Sequence, residues 1–137
     1  METTLLEATT LTIDGGIPGF PAACRFELTR WGGAESPFSL LRCVDNERGT
    51  PQFVVMPPTV FFPGYRCDVD AGTIDRLGIE SVADVSVFVI LTLGGRPEDA
   101  TANLLAPLLV NRWTGQATQT VLVDPDPGYG LRVPLTA

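Results

Sequence analysis

Short apolar runs separated by glycine- and proline-rich turns set the rhythm of this chain. Thr3 to Ile13 is rich in Thr, Leu and Ile and ends at Asp14-Gly15-Gly16, a turn signal. In Gly16-Ile17-Pro18-Gly19-Phe20, proline presets φ at the second turn position and glycine takes the positive φ that follows, as in a type II turn. Cys24 to Trp31 alternates apolar and polar residues, the pattern of a strand with one wet face. Phe38 to Val44 and Gln52 to Met56 flank the polar stretch 45–51 and read as a hairpin with a long loop. Val82 to Leu93 is the strongest strand. Its β-branched and aromatic residues run almost unbroken, which predicts a central strand covered on both faces.

The pattern contains one helix, over about 70–78. Asp70 is placed to cap it, Ile74 and Leu77 share a face, and Gly78 stands where a left-handed residue ends a helix. Arg96 to Thr101 is a turn or a single helical turn. In Thr101 to Asn111 an apolar run carries Asn near its start and at its end, with Pro107 in the middle. It reads as a buried strand entered through a fixed turn, with Asn103 and Asn111 needing hydrogen-bond partners wherever they are dry. Trp113 to Gln116 connects it to Ala117–Val123, Asp124 to Gly128 breaks the sheet, and Tyr129 to Leu135 forms a closing edge. Short strands with tight turns favour closure, because closure removes free edges. The predicted fold is mainly β: one domain, 1–137, forming an antiparallel β-barrel or sandwich-like closed sheet with one short helix.

Length and composition support this picture. A chain of 137 residues buries roughly 65–70% of its extended surface, enough for a core without metals or disulfides. No apolar stretch approaches the ~20 residues of a membrane span, and the N-terminus lacks the basic and apolar regions of a secretory signal. A cytoplasmic location without membrane attachment is expected.

Charge and chemistry narrow the function. The net charge is −7, and the nine basic residues are all Arg, spread singly along the chain. Nucleic acid binding depends on clustered cations, so direct RNA or DNA binding is disfavoured and a basic protein partner favoured. Cys24, Cys43 and Cys67 form no Cys-x-x-Cys pair, and there is no His to activate a thiolate or complete a zinc site. No metal or cofactor is expected. Asp68/Asp70 and Asp124/Asp126 are carboxylate pairs of the kind acid–base catalysis uses. However, Asp70 is a cap and the second pair lies in a Pro-rich turn, so both read as solvated structural groups and the chain as a non-enzyme. Pro57-Pro-Thr-Val-Phe-Phe-Pro-Gly-Tyr65 is the most unusual loop. It either plugs one end of the barrel or presents Phe61, Phe62 and Tyr65 as anchors for a partner. Phe61 and Phe62 are sequence neighbours, so in extended geometry they face opposite ways and one is exposed.

Several ordered segments together resemble the flagellar assembly factor (FliW) family. They are Gly16–Phe20, Ser36–Phe38, Phe53–Val55, Phe61–Pro63 with Tyr65, Leu77–Ile79, Thr101–Asn111, and the C-terminal Gly115-Gln116, Val121-Leu122, Tyr129, Arg132 and Pro134-Leu135. The correspondence covers nearly the whole chain; it departs at Val133, where members often carry His. The resemblance implies a monomeric adaptor that binds flagellin and the carbon storage regulator CsrA, an RNA-binding translational repressor. Phe61, Phe62, Tyr65, Thr101, Asn103 and Asn111 are its candidate partner-binding residues. The rival reading is a β-barrel that binds a small ligand or peptide unrelated to flagella.

Overall fold

The computed structural model describes residues 9–13, 15–17, 19–20 and 24–135. Among the described residues nine strands form one sheet: β1 (Thr9–Ile13), β2 (Arg25–Arg30), β3 (Ser39–Cys43), β4 (Gln52–Met56), β5 (Val85–Thr92), β6 (Thr101–Ala102), β7 (Leu108–Asn111), β8 (Gln116–Gln119) and β9 (Val133–Pro134). Their order is β4-β3-β2-β1-β8-β7-β5-β6-β9, and β4 also pairs with β5, which closes seven of them into a barrel. Every pairing is antiparallel except β1 with β8, where Thr12 faces Gln116 and Ile13 faces Ala117. The closed antiparallel sheet is as the sequence predicts, with one parallel seam. Strand direction alternates around a ring only if the number of strands is even; with seven, one pair must run parallel.

Alternation divides the apolar residues between two cores. Leu11, Phe26, Leu41, Val55, Leu108 and Val110 fill the barrel interior. Val54, Met56, Val89 and Leu91 point outward from β4 and β5 into a second core, which Phe62, Tyr65, Tyr129 and Val133 cover. Strand β5 therefore has protein on both faces, as its unbroken apolar run predicts. It is shorter than the run, because Val82–Asp84 forms a 3₁₀ turn before it. The candidate strand Thr3–Ile13 is described from Thr9; residues 3–8 lie outside the described residues, as do Asp14 and Pro18. The turn around Pro18 is nonetheless visible at its flanks: Gly19 has φ +91° and the Phe20 N–H donates to the Ile17 carbonyl at 2.7 Å.

The segment from Thr101 to Asn111 is interrupted rather than continuous. Thr101 and Ala102 pair with Thr92 and Leu91, and Leu108–Asn111 pair with Phe88–Val85 along the same edge of β5. Residues 103–107 bulge out between them. Each inner polar group of the bulge has a partner: the Asn103 Oδ1 accepts from the Leu105 and Ala106 N–H groups, and Leu104 N–H donates to Gly130. The Leu104, Leu105, Ala106 and Pro107 carbonyls accept from the Tyr65 hydroxyl, Leu122 N–H, Gln119 Nε2 and Thr120 N–H. Buried carbonyl and N–H groups in a loop need such partners.

Helix α1 (Ala71–Leu77) begins as the sequence predicts, with the Asp70 carboxylate accepting from Thr73 and Gly78 closing it at φ +69°. Its buried face is Thr73 and Leu77, while Ile74 is only half-buried. Three surface carboxyls are held below their usual range. Asp84 is lowered first by the Trp113 indole N–H and the Glu80 N–H, Asp70 by the Thr73 hydroxyl, and Asp45 by the Arg25 and Cys24 N–H groups. A depressed folded-state value stabilises the fold above the unfolded value and loses that stabilisation as pH falls through the folded one. Stability should therefore hold from neutral pH to about 4 and decline below it. The urea midpoints of Asp84→Asn and the unaltered chain should draw together as pH falls below about 4. A gap that stays constant over that range would refute the assignment.

Candidate functional site

Four separate segments meet on the outer face of β3, β4 and β5 to form an apolar cleft of about 470 Å³. The loop after β2 supplies Trp31 and Phe38, the Pro57–Tyr65 loop supplies Phe61, the turn after β5 supplies Leu93 to Arg96, and Leu135 closes one side. Local chemistry fixes the first loop: Arg30 Nη1 donates to the Ser36 carbonyl, and the Ser36 hydroxyl donates to Trp31 O at 2.6 Å. The Trp31 N–H then donates to Phe38 O at 3.0 Å, so both rings stand on a braced loop. Phe61 stacks on Phe38 with ring centroids 6.4 Å apart. Trp31, Phe61 and Leu93 remain 43%, 40% and 50% exposed. Contiguous exposed aromatic surface of this kind marks a place where something docks.

The cleft takes in only one of the residues singled out by sequence. Phe61 lines it, whereas Phe62 and Tyr65 turn into the outer core. The two rings do diverge, but through a helical turn, not an extended strand: Pro58–Val60 is 3₁₀ and Phe61 has φ −110°, ψ −15°. Tyr65 stacks on Tyr129 at 4.8 Å and donates to Leu104 O, and burial pushes its hydroxyl above the ordinary phenol range. The loop is thus both a cover for the second core and, at Phe61, an exposed anchor.

Thr101 begins the bulged segment, and its hydroxyl is buried without a hydrogen-bond partner. The partners Asn103 needs are turn N–H groups: its side-chain oxygen accepts from Leu105 and Ala106, and the side chain is half-buried. Asn103→Asp keeps that acceptor and should leave the melting temperature nearly unchanged, whereas Asn103→Ala should cost about 1–2 kcal/mol. Equal losses in thermal unfolding would show that the amide nitrogen, not the oxygen, holds the bulge. Asn111 lies elsewhere, 3% exposed beneath α1. Its Nδ2 donates to the Leu77 carbonyl at 2.8 Å and to Gly78 at 3.5 Å, and its Oδ1 accepts from the Trp113 and Thr114 N–H groups. It has no group left to offer a partner.

The sequence reading passed over Trp31, Phe38, Leu93 and Leu135. Each sits in a common strand or turn context, and no local signal says that the barrel gathers them. Arg96, at the rim, is flanked by Glu98 at 3.5 Å and Asp99 at 3.7 Å. Arg25, Arg42 and Arg66 likewise pair with Asp45, Glu27 and Asp68. With these cations spoken for, the surplus of the −7 net charge is carboxylate surface. The Asp68/Asp70 and Asp124/Asp126 pairs do not converge on a cleft: Asp70 caps α1, and Asp68 and Asp126 both face the exposed Arg66. Burial and the Asp68 charge push the Cys67 thiol up to about 11, far from a reactive thiolate. Among the described residues, no group of three or more His, Cys, Asp or Glu is placed to hold a metal. No helix among them is long and apolar enough to cross a membrane.

A barrel filled by its own side chains, with an aromatic cleft on its outer face, defines a small docking protein. The chain belongs to the FliW family of flagellar assembly factors: the model of that family, described as FliW protein, matches residues 1–135. A flagellar assembly factor FliW of Bacillus licheniformis is 40% identical over 123 residues, covering 90% of this chain and 84% of the relative. That of Bacillus subtilis is 40% identical over 114 residues, covering 83% and 78%. A solved structure, the crystal structure of the flagellar assembly factor FliW, superposes with a TM-score of 0.84 at 32% identity, over 93% of this chain and 86% of that one. A role in flagellum assembly follows.

Proposed function

We propose that this chain is a cytoplasmic adaptor that binds flagellin and antagonises the translational repressor CsrA. Flagellin and the repressor draw on the same adaptor, so free flagellin releases the repressor and flagellin translation falls. Linkage makes the coupling reciprocal: the factor by which flagellin weakens repressor binding is the factor by which the repressor weakens flagellin binding. The observation that carries this reading is the exposed aromatic cleft on an acidic barrel, in a member of a flagellar assembly family. The acidic surface suits a repressor that must itself be basic to hold RNA, and it steers the encounter. A ligand within the barrel finds less support, because Phe26, Leu41 and Leu108 fill the interior with no exposure to solvent. Co-expression with the cognate flagellin and repressor, followed by size-exclusion chromatography, tests the proposal. The adaptor should elute with either protein, and added flagellin should free the repressor to bind RNA. An adaptor that travels with neither sinks it.

A further inference from the structure

We infer that the aromatic cleft receives the apolar face of an amphipathic helix whose flanks carry Lys or Arg, presented by a partner polypeptide. The inference rests on the adaptor reading for the partner's role, but its chemistry is argued from the cleft alone. A volume of about 470 Å³ walled by Trp31, Phe38, Phe61, Leu93 and Leu135 lies within the range of sites that enclose a drug-sized group or a short row of side chains. An incoming chain docks either by adding a strand or by inserting side chains. Strand addition is poorly served. Seven strands are closed into the barrel, and the outermost strand, β9, has two residues, one of them Pro134, which has no N–H to donate. A helix needs no such edge, since its backbone is already paired.

Charge selects among occupants. Among the described residues Arg96 is the ionised group lining the cleft, and two carboxylates, Glu98 and Asp99, outweigh it at the rim. Glu35 adds a further exposed acid on the loop that carries Trp31. Cations beside the apolar row of the helix meet these groups favourably. A second copy of this chain would bring another −7 against them, and a fatty acid would find its carboxylate facing an arginine already paired.

Gly95 makes the idea testable without disturbing the fold. Its backbone lies outside the left-handed region, and a Cβ built there meets nothing within 4 Å. Gly95 lines the cleft, so a phenylalanine there adds bulk at its wall without straining the turn. Trp31 and Trp113 are the two tryptophans, so in a Trp113→Phe background Trp31 alone reports occupancy by fluorescence. The probes are two synthetic helical peptides with Leu at three- and four-residue spacing, one flanked by Lys and one by Glu. The Lys peptide should shift Trp31 emission and bind at least about ten-fold tighter than the Glu peptide, with affinity falling as salt rises. Adding Gly95→Phe should weaken it about ten-fold at an unchanged melting temperature. Equal binding of the two peptides, no binding of either, or indifference to Gly95→Phe overturns the inference. Cognate flagellin and repressor run alongside: if neither binds the unaltered chain, the adaptor reading fails on its own, while the peptides still decide the chemistry of the cleft.

Discussion

Replacing Asn111 should destabilise this protein severely, and the pH dependence of the loss should reveal why. The side chain is buried and uses its amide in two directions, donating to the end of α1 and accepting from the turn between β7 and β8. Asn111→Ala leaves the Leu77 carbonyl dry and unpaired and two turn N–H groups in search of water, a cost of about 2–3 kcal/mol. Asn111→Asp keeps the acceptor but points carboxylate oxygen at carbonyl oxygen, so at neutral pH the loss should be larger, about 3–5 kcal/mol. For a domain of this length the Asp variant should melt about 10 °C or more below the unaltered chain. Burial and carbonyl contact raise the folded-state value of that new carboxyl above its unfolded one. Its protonated form donates as the amide did, so the deficit should shrink as pH falls through the raised value toward the unfolded one. Urea unfolding at several pH values checks this. An Asp variant whose deficit is the same at pH 4 and pH 7 would mean that the donor to Leu77 contributes little.

Gly115→Ala should be nearly as damaging, for a different reason. Gly115 has φ +80°, and a Cβ there would stand 2.7 Å from the Thr10 carbonyl oxygen. Backbone on one side and a left-handed conformation on the other leave nothing flexible to yield. The position also holds the parallel seam: the Thr12 N–H donates to the Gly115 carbonyl at 2.9 Å, next to the two residue pairs that join β1 to β8. A loss of about 2–4 kcal/mol is expected from strain and overpacking together. Hydrogen exchange should show it first at the Thr12 amide, since the seam opens before the rest of the barrel. Gly128→Ala, where a Cβ meets nothing within 4 Å, is the control and should be close to neutral. A Gly115→Ala variant as stable as that control would show that the seam tolerates displacement.

Much of the architecture was legible along the chain because it follows from neighbours in sequence. The cap at Asp70, the left-handed end at Gly78, the β3–β4 hairpin and the doubly covered β5 each rest on periodicity or on a turn requirement spanning a few residues. The six candidate site residues were drawn from the same local signals, and those signals do not report direction. Phe61 and Phe62 are chemically identical neighbours, yet one lines the cleft and the other packs inward. Asn103 and Asn111 bracket the same apolar run, yet one orders a half-exposed bulge and the other ties α1 to a turn. Membership in a flagellar assembly family was also legible, since an ordered set of motifs survives where single ones are too common to speak.

By itself the sequence determined the strand-and-turn grammar, the capped helix and the acidic character; each depends on residue type and spacing within a turn or two. Only the tertiary structure decided the parallel seam, the second core outside the barrel and the cleft of Trp31, Phe38, Phe61, Leu93 and Leu135. Those depend on closing seven strands into a ring, which brings residues about 100 positions apart into contact. Closure is a property of the whole chain, and no stretch of it carries that information alone.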